Sequence, residues 1–172
     1  MRMLTILFVL LATGASGQTH EQDSTQAQDA WLKLHYLTES ADAPEHLKRH
    51  GVTLDLEKLR TYVKASERTL EEFALDKAAF VCANREKFEK DPEALAKFFD
   101  RQDAEETALI QSIVDGLPAA IGDANAASFQ AFVSHEGVSR SGGYDKSGAL
   151  RAGKVDPGFF TARVCAWKER QS

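Results

Sequence analysis

Sulfur is scarce in this chain, with two methionines and two cysteines among 172 residues. Met1 and Met3 both fall in the first seventeen residues, which read as a removable leader, so the mature chain carries no methionine. That excludes Met as a haem or copper ligand. Cys82 and Cys165 form neither CxxC nor CxxCH, so a thioredoxin-like site and covalent haem attachment lack their signature. After Ala12 no apolar run approaches the ~20 residues needed to span a bilayer. Glycine is missing from residue 52 to residue 115, and proline occurs there once, as Pro92. Little in that stretch can break a helix. A nucleophile elbow, a phosphate loop and a full metal set are also missing, so no cofactor is expected.

What is present begins with an export signal. Arg2 precedes an apolar core over residues 4–12, and small residues follow from Thr13 to Gly17. This order is that of a secretory signal peptide, with cleavage after Gly17 or after Ala15. The expected organisation is a signal peptide over 1–17, a disordered leader over 18–26 and one helical domain over 27–172. The mature protein is expected to be soluble and exported, periplasmic or extracellular. Loss of Arg2 leaves 20 basic residues against 26 acidic ones, a net charge of −6. Nucleic acid is a poor partner for such a chain. In an oxidising compartment Cys82 and Cys165 read most simply as one disulfide. Two buried thiols, or a metal pair with His, are the other readings.

Helical periodicity organises the rest. Ala27, Trp31, Leu34 and Leu37 share one face of a first helix over about 27–40. Pro44 starts a short helix that Gly51 stops. Leu56, Leu59, Val63, Leu70, Phe73 and Phe80 make one long stripe, with Asp55 as N-cap and Phe88 on its continuation. Asp91-Pro92-Glu93 starts the next helix, and Asp156-Pro157 starts the last one. Asp123 reads as the cap of a helix that stops at Gly137. The expected fold is all-α, an antiparallel bundle of four to five helices, with a long Gly-rich loop near the C-terminus.

Few side chains form constellations. His46 and His50 are four apart, and Asp42 is four before His46, so all three would share a face of a continuous helix and could hold a divalent metal. Without the Glu of HExxH the pair carries no hydrolase signal. His50, Lys48 and Arg49 also suit the negative end of a short helix. Phe73, Phe80, Phe88, Phe98 and Phe99 read as core, or as the lining of an apolar ligand site between helices.

Residues 137–155 differ from the rest, holding five of the nine glycines that follow the leader. Glu136-Gly137 is followed by Asp145, Gly148 and Gly153. This spacing resembles the active-site stretch of phage-type lysozymes, where a Glu-Gly ends a helix and an Asp follows nine residues later. The resemblance implies Glu136 as the acid and Asp145 as the second carboxylate of a glycoside hydrolase. Arg151 stands where that family has Thr, and only nineteen residues follow Gly153 in place of a large helical lobe. From Val138 to Ser172 the chain carries seven basic and three acidic residues, leaving −10 on the stretch from Gln18 to Gly137. A basic Gly-rich loop can offer Arg forks to an anion, or dock on its own acidic body. The leading expectation is an exported, non-catalytic binding protein, such as an inhibitor, immunity-type or accessory factor. It would meet a protein or anionic partner through Arg140, Tyr144, Lys146 and Arg151. A small-ligand or metal-carrying bundle is the alternative, and the glycoside hydrolase ranks third.

Overall fold

The computed structural model describes residues 18–136 and 146–171, with side chains from Gln26 onward. The expected signal peptide lies outside the described residues, as do Arg140, Tyr144 and Asp145. The described residues are mostly helical and contain no strand. Its long helices are α1 (Gln18–Glu39), α3 (Leu56–Ala83), α5 (Pro92–Asp115), α7 (Asp123–Glu136) and α9 (Pro157–Glu169). Four short ones stand between them: α2 (Ala43–Arg49), α4 (Arg85–Lys90), α6 (Leu117–Ile121) and α8 (Lys146–Arg151). Among the described residues no helix is long and apolar enough to cross a membrane.

The start signals act as their chemistry requires. Asp55 Oδ1 accepts from the Lys58 amide at 3.1 Å, and Asp91 Oδ1 accepts from the Ala94 amide at 2.9 Å. Asp156 Oδ1 accepts from the Phe159 amide at 2.6 Å. Each carboxylate satisfies a first-turn N–H that has no intrahelical partner. Asp123 differs from its expected role, because α7 already includes it and Gly122, at φ 89°, makes the turn before it.

Three boundaries depart from the sequence reading. Helix α1 begins at Gln18, where a disordered leader to Gln26 was expected. No Gly or Pro interrupts residues 18–42, so nothing in the chain stops the helix there. The long stripe from Leu56 breaks at Asn84, whose side-chain amide donates to the Phe80 carbonyl at 2.9 Å. That bond offers the backbone an alternative to the helical ladder, and α4 restarts one residue later. Helix α8 forms inside the stretch expected as a Gly-rich loop. Six residues with a central Gly148 have little intrinsic helicity, so tertiary contacts must hold α8.

The stretch expected as one domain groups into two compact units. The first comprises residues 18–74 and 104–136. Trp31, Leu34 and Leu37 of α1 pack with Leu47 of α2, Leu59 and Val63 of α3, Ile113 of α5, and Phe129 and Phe132 of α7. Each such side chain, once fully buried, contributes about 1.5–3 kcal/mol. The Lys33 ammonium, buried on α1, pairs with Asp29 at 2.7 Å and donates to the Val133 carbonyl at 3.3 Å. That contact ties α1 to the last turn of α7.

The second unit comprises residues 75–103 and 146–171. Val81, Phe88, Leu95, Phe98, Phe99 and Leu150 form its core, with Phe160 and Val164 of α9 against it. Cys82 of α3 and Cys165 of α9 are joined as a disulfide, with Cα atoms 5.5 Å apart across 83 residues of sequence. In the chain-entropy account a loop of that length stabilises the fold by about 4 kcal/mol. Mass analysis of the unreduced mature protein should therefore find no free thiol. Replacing both cysteines by Ala should lower Tm by roughly ten degrees. Two alkylatable thiols in unreduced protein would contradict the bond.

Candidate metal centre

The strongest cluster of chemistry-bearing side chains lies in the first unit, where the end of α2 faces the end of α7. Pro44 sets the first turn of α2. Gly51, at φ 65°, ends the helix in the left-handed conformation that a Cβ disfavours. The Gly51 amide donates to the Lys48 carbonyl at 3.0 Å, and the Val52 amide to the Leu47 carbonyl at 3.0 Å. This paired closure is a Schellman motif, and it fixes His50 as the C-cap residue. His46 lies one turn before His50, so the two rings meet with centroids 5.0 Å apart.

From α7 come Phe132 and Glu136, also one turn apart. Phe132 is buried, and its ring stands edge-on to His46 at 5.4 Å and to His50 at 6.2 Å. Glu136 then reaches both imidazoles through one oxygen. Its Oε1 lies 3.0 Å from His46 Nε2 and 2.9 Å from His50 Nε2. On the far side of His46, Nδ1 meets the Tyr36 hydroxyl of α1 at 2.9 Å. This bond orients the ring and leaves Nε2 as the outward nitrogen, the arrangement that prepares an imidazole for a metal.

One atom from each of His46, His50 and Glu136 lies within 4.8 Å of the other two. Bonds of ~2.0–2.1 Å at tetrahedral angles place ligand atoms about 3.3 Å apart. The two Glu–His separations already fall within a few tenths of an ångström of that spacing. Two nitrogens and a carboxylate oxygen suit a borderline divalent ion such as zinc. Asp42, the carboxylate expected beside this His pair, does not join the group. Glu136 takes that place from 90 residues away. The sequence reading did single out Glu136, but as the acid of a hydrolase, and nothing in the chain linked it to the histidines.

The residues expected to meet a partner lie elsewhere. Lys146 is buried, with its ammonium 5.3 Å from the centre of the Phe99 ring. Arg151 donates to Glu93 at 3.1 Å and to Asp100. Ser147 donates to the Ala96 carbonyl at 3.2 Å. These contacts hold α8 onto α5 within the second unit and supply the stability its sequence lacks. Arg140 and Tyr144 lie outside the described residues.

Compared with known proteins, the chain matches no family model, no curated protein and no solved structure. The site therefore rests on its own geometry.

The Arg151 contact has a measurable consequence. Burial pushes the Asp100 carboxyl upward, but hydrogen bonds from Arg151 and Ser147 and the Arg151 charge outweigh it and leave the group lowered. A carboxyl lowered by folding adds stability above its ordinary range, and that contribution is lost as pH falls through the folded value. Nuclear magnetic resonance titration should place the Asp100 midpoint below the ordinary aspartate range in the wild type. In Arg151→Ala the midpoint should rise, and amide exchange over residues 146–151 should quicken. An unchanged Asp100 midpoint in the variant would show that the Arg151 contact is not what lowers it.

Proposed function

We propose that this is an exported helical protein that binds a divalent transition metal, zinc by preference, at His46, His50 and Glu136. The observation that carries the reading is the convergence of both imidazole Nε2 atoms on one Glu136 oxygen at 3.0 and 2.9 Å. The Tyr36 hydroxyl on His46 Nδ1 supports it, because outer hydrogen bonds of this kind orient metal-binding imidazoles. Export is supported by the signal-like first seventeen residues and by the Cys82–Cys165 bond. Within the first unit, α1, α3, α5 and α7 are taken to pack antiparallel, the arrangement in which bundles build metal sites between facing helices.

The leading expectation from sequence, a partner bound through residues 137–155, is kept as the second reading. Exposed Phe159, with the Arg163 guanidinium 5.7 Å from its ring centre, is the kind of aromatic–Arg pair that anchors interfaces. With Lys146 and Arg151 engaged by their own unit, this reading falls on Arg140 and Tyr144. Their joint exchange for Ala should abolish capture of a partner that the wild type retains from the exported fraction. Equal capture by both forms would remove the loop from the interface.

The metal reading is tested by titrating zinc into chelator-treated mature protein. The wild type should take up one ion, and zinc at a hundred times its Kd should stabilise the fold by about 2.7 kcal/mol. His46→Ala, His50→Ala and Glu136→Ala should each weaken binding roughly a hundredfold, since each removes a ligand. Tyr36→Phe, which removes only the orienting hydroxyl, should weaken it roughly tenfold. Calorimetry that finds no zinc uptake, or uptake indifferent to all three ligand substitutions, refutes the site.

A further inference from the structure

Three protein ligands leave a zinc ion one position short of a tetrahedron, and that position decides what the site does. Left open, it admits water and permits hydrolysis; filled by a fourth side chain, it makes a holding site. We propose that His135 fills it, so that the loaded centre is a closed set of three histidines and Glu136. This inference rests on the metal reading above and fixes the role of that same site.

The geometry that supports it is a ring spacing. Two imidazoles bound to one tetrahedral ion, at bonds of ~2.0–2.1 Å, have ring centroids roughly 5 Å apart. His46 and His50 already stand at 5.0 Å. His135 and His50 stand at 5.8 Å, with their planes tilted by 30°. His135 precedes Glu136 and follows Phe132 by three residues, so all three occupy the face of α7 that meets α2. The nitrogens of His135 stand outside the tight group of three ligands. His135 is exposed, and turning its ring about the side-chain torsions is the adjustment that the closed set requires.

Electrostatics favours a cation at this spot. His135 and Glu136 are the last described residues of α7, and His50 caps the end of α2. The partial negative charge at the capped end of α2 is therefore directed at the ion. The buried Lys33 ammonium of α1, which donates to the Val133 carbonyl of α7, is paired with Asp29, and Lys48 and Arg49 are the cations that share the last turn of α2 with the two histidines. No soft donor is at hand, because the described chain has no free cysteine. The class of ligand is thus a bare borderline divalent ion held by nitrogen and oxygen.

Cobalt(II) titrated into the chelator-treated mature chain tests the closure, because four-coordinate cobalt absorbs visible light strongly and higher coordination weakly. The wild type should give the intense spectrum, and azide should leave it unchanged. His135→Ala should bind cobalt at least tenfold more weakly, give a weak spectrum and gain azide-dependent bands. His135→Gln should do the same, and circular dichroism should match the wild type for both. A weak or azide-sensitive wild-type spectrum overturns the closure, as does a His135→Ala spectrum equal to the wild type; in either case the three-ligand site stands. Failure of the wild type to bind cobalt or zinc at all overturns both.

Discussion

The burial of Phe132 is the constraint on which the candidate site depends. Its side chain is 1% exposed, in the same core as Trp31, Leu34 and Phe129. Hydrophobic burial has no direction, but a buried ring on a helix fixes what stands one turn further on. With Phe132 held in the core, His135 and Glu136 must emerge beside it. The edge of that ring meets His46 and His50, so the same side chain forms the floor beneath both imidazoles. An apolar interaction worth a few kcal/mol thus helps to place a polar cluster.

A different balance governs the second unit. Helix α8 has a central glycine and six residues, too few to be stable alone. Leu150 anchors it in the core, and Arg151 holds it to the carboxylates of Glu93 and Asp100. Exposed ion pairs are individually weak, so burial of Leu150 and Ala149 does most of the holding. The excess positive charge of the C-terminal stretch is therefore used, at least at Arg151, to neutralise the acidic helix beside it. An internal role for such residues competes with an external one, because a guanidinium spent on two carboxylates must be released before it can meet an anion.

Much of the fold was legible because its signals are local. The stripe of Leu59 and Val63, the Asp-Pro starts at Asp91 and Asp156, and the stop at Gly51 each act over one or two turns. The break at Asn84 was not legible, since an Asn within an otherwise apolar stripe chooses between solvent and its own backbone only in three dimensions. Nor was α8, whose helicity comes from contacts with α5. The site divides in the same way. His46 and His50 were visible as a pair four apart, whereas Glu136 comes from another helix and no sequence period connects it to them. Tyr36 carries no local signal that pairs it with a histidine ten residues on, and its bond to His46 crosses from α1 to α2.

The scarcity of sulfur joins these strands. Both cysteines are consumed by one bond, and both methionines lie within the first three residues, so the described residues have no thiolate or thioether to offer an ion. Soft monovalent copper prefers such donors and finds none. Imidazole and carboxylate remain, and these match borderline divalent ions. The same disulfide suits an oxidising compartment, where a thiolate metal site would risk oxidation and a nitrogen–oxygen site would not. The proposed donor set and the expected compartment therefore agree, although one is argued from α2 and α7 and the other from the first seventeen residues.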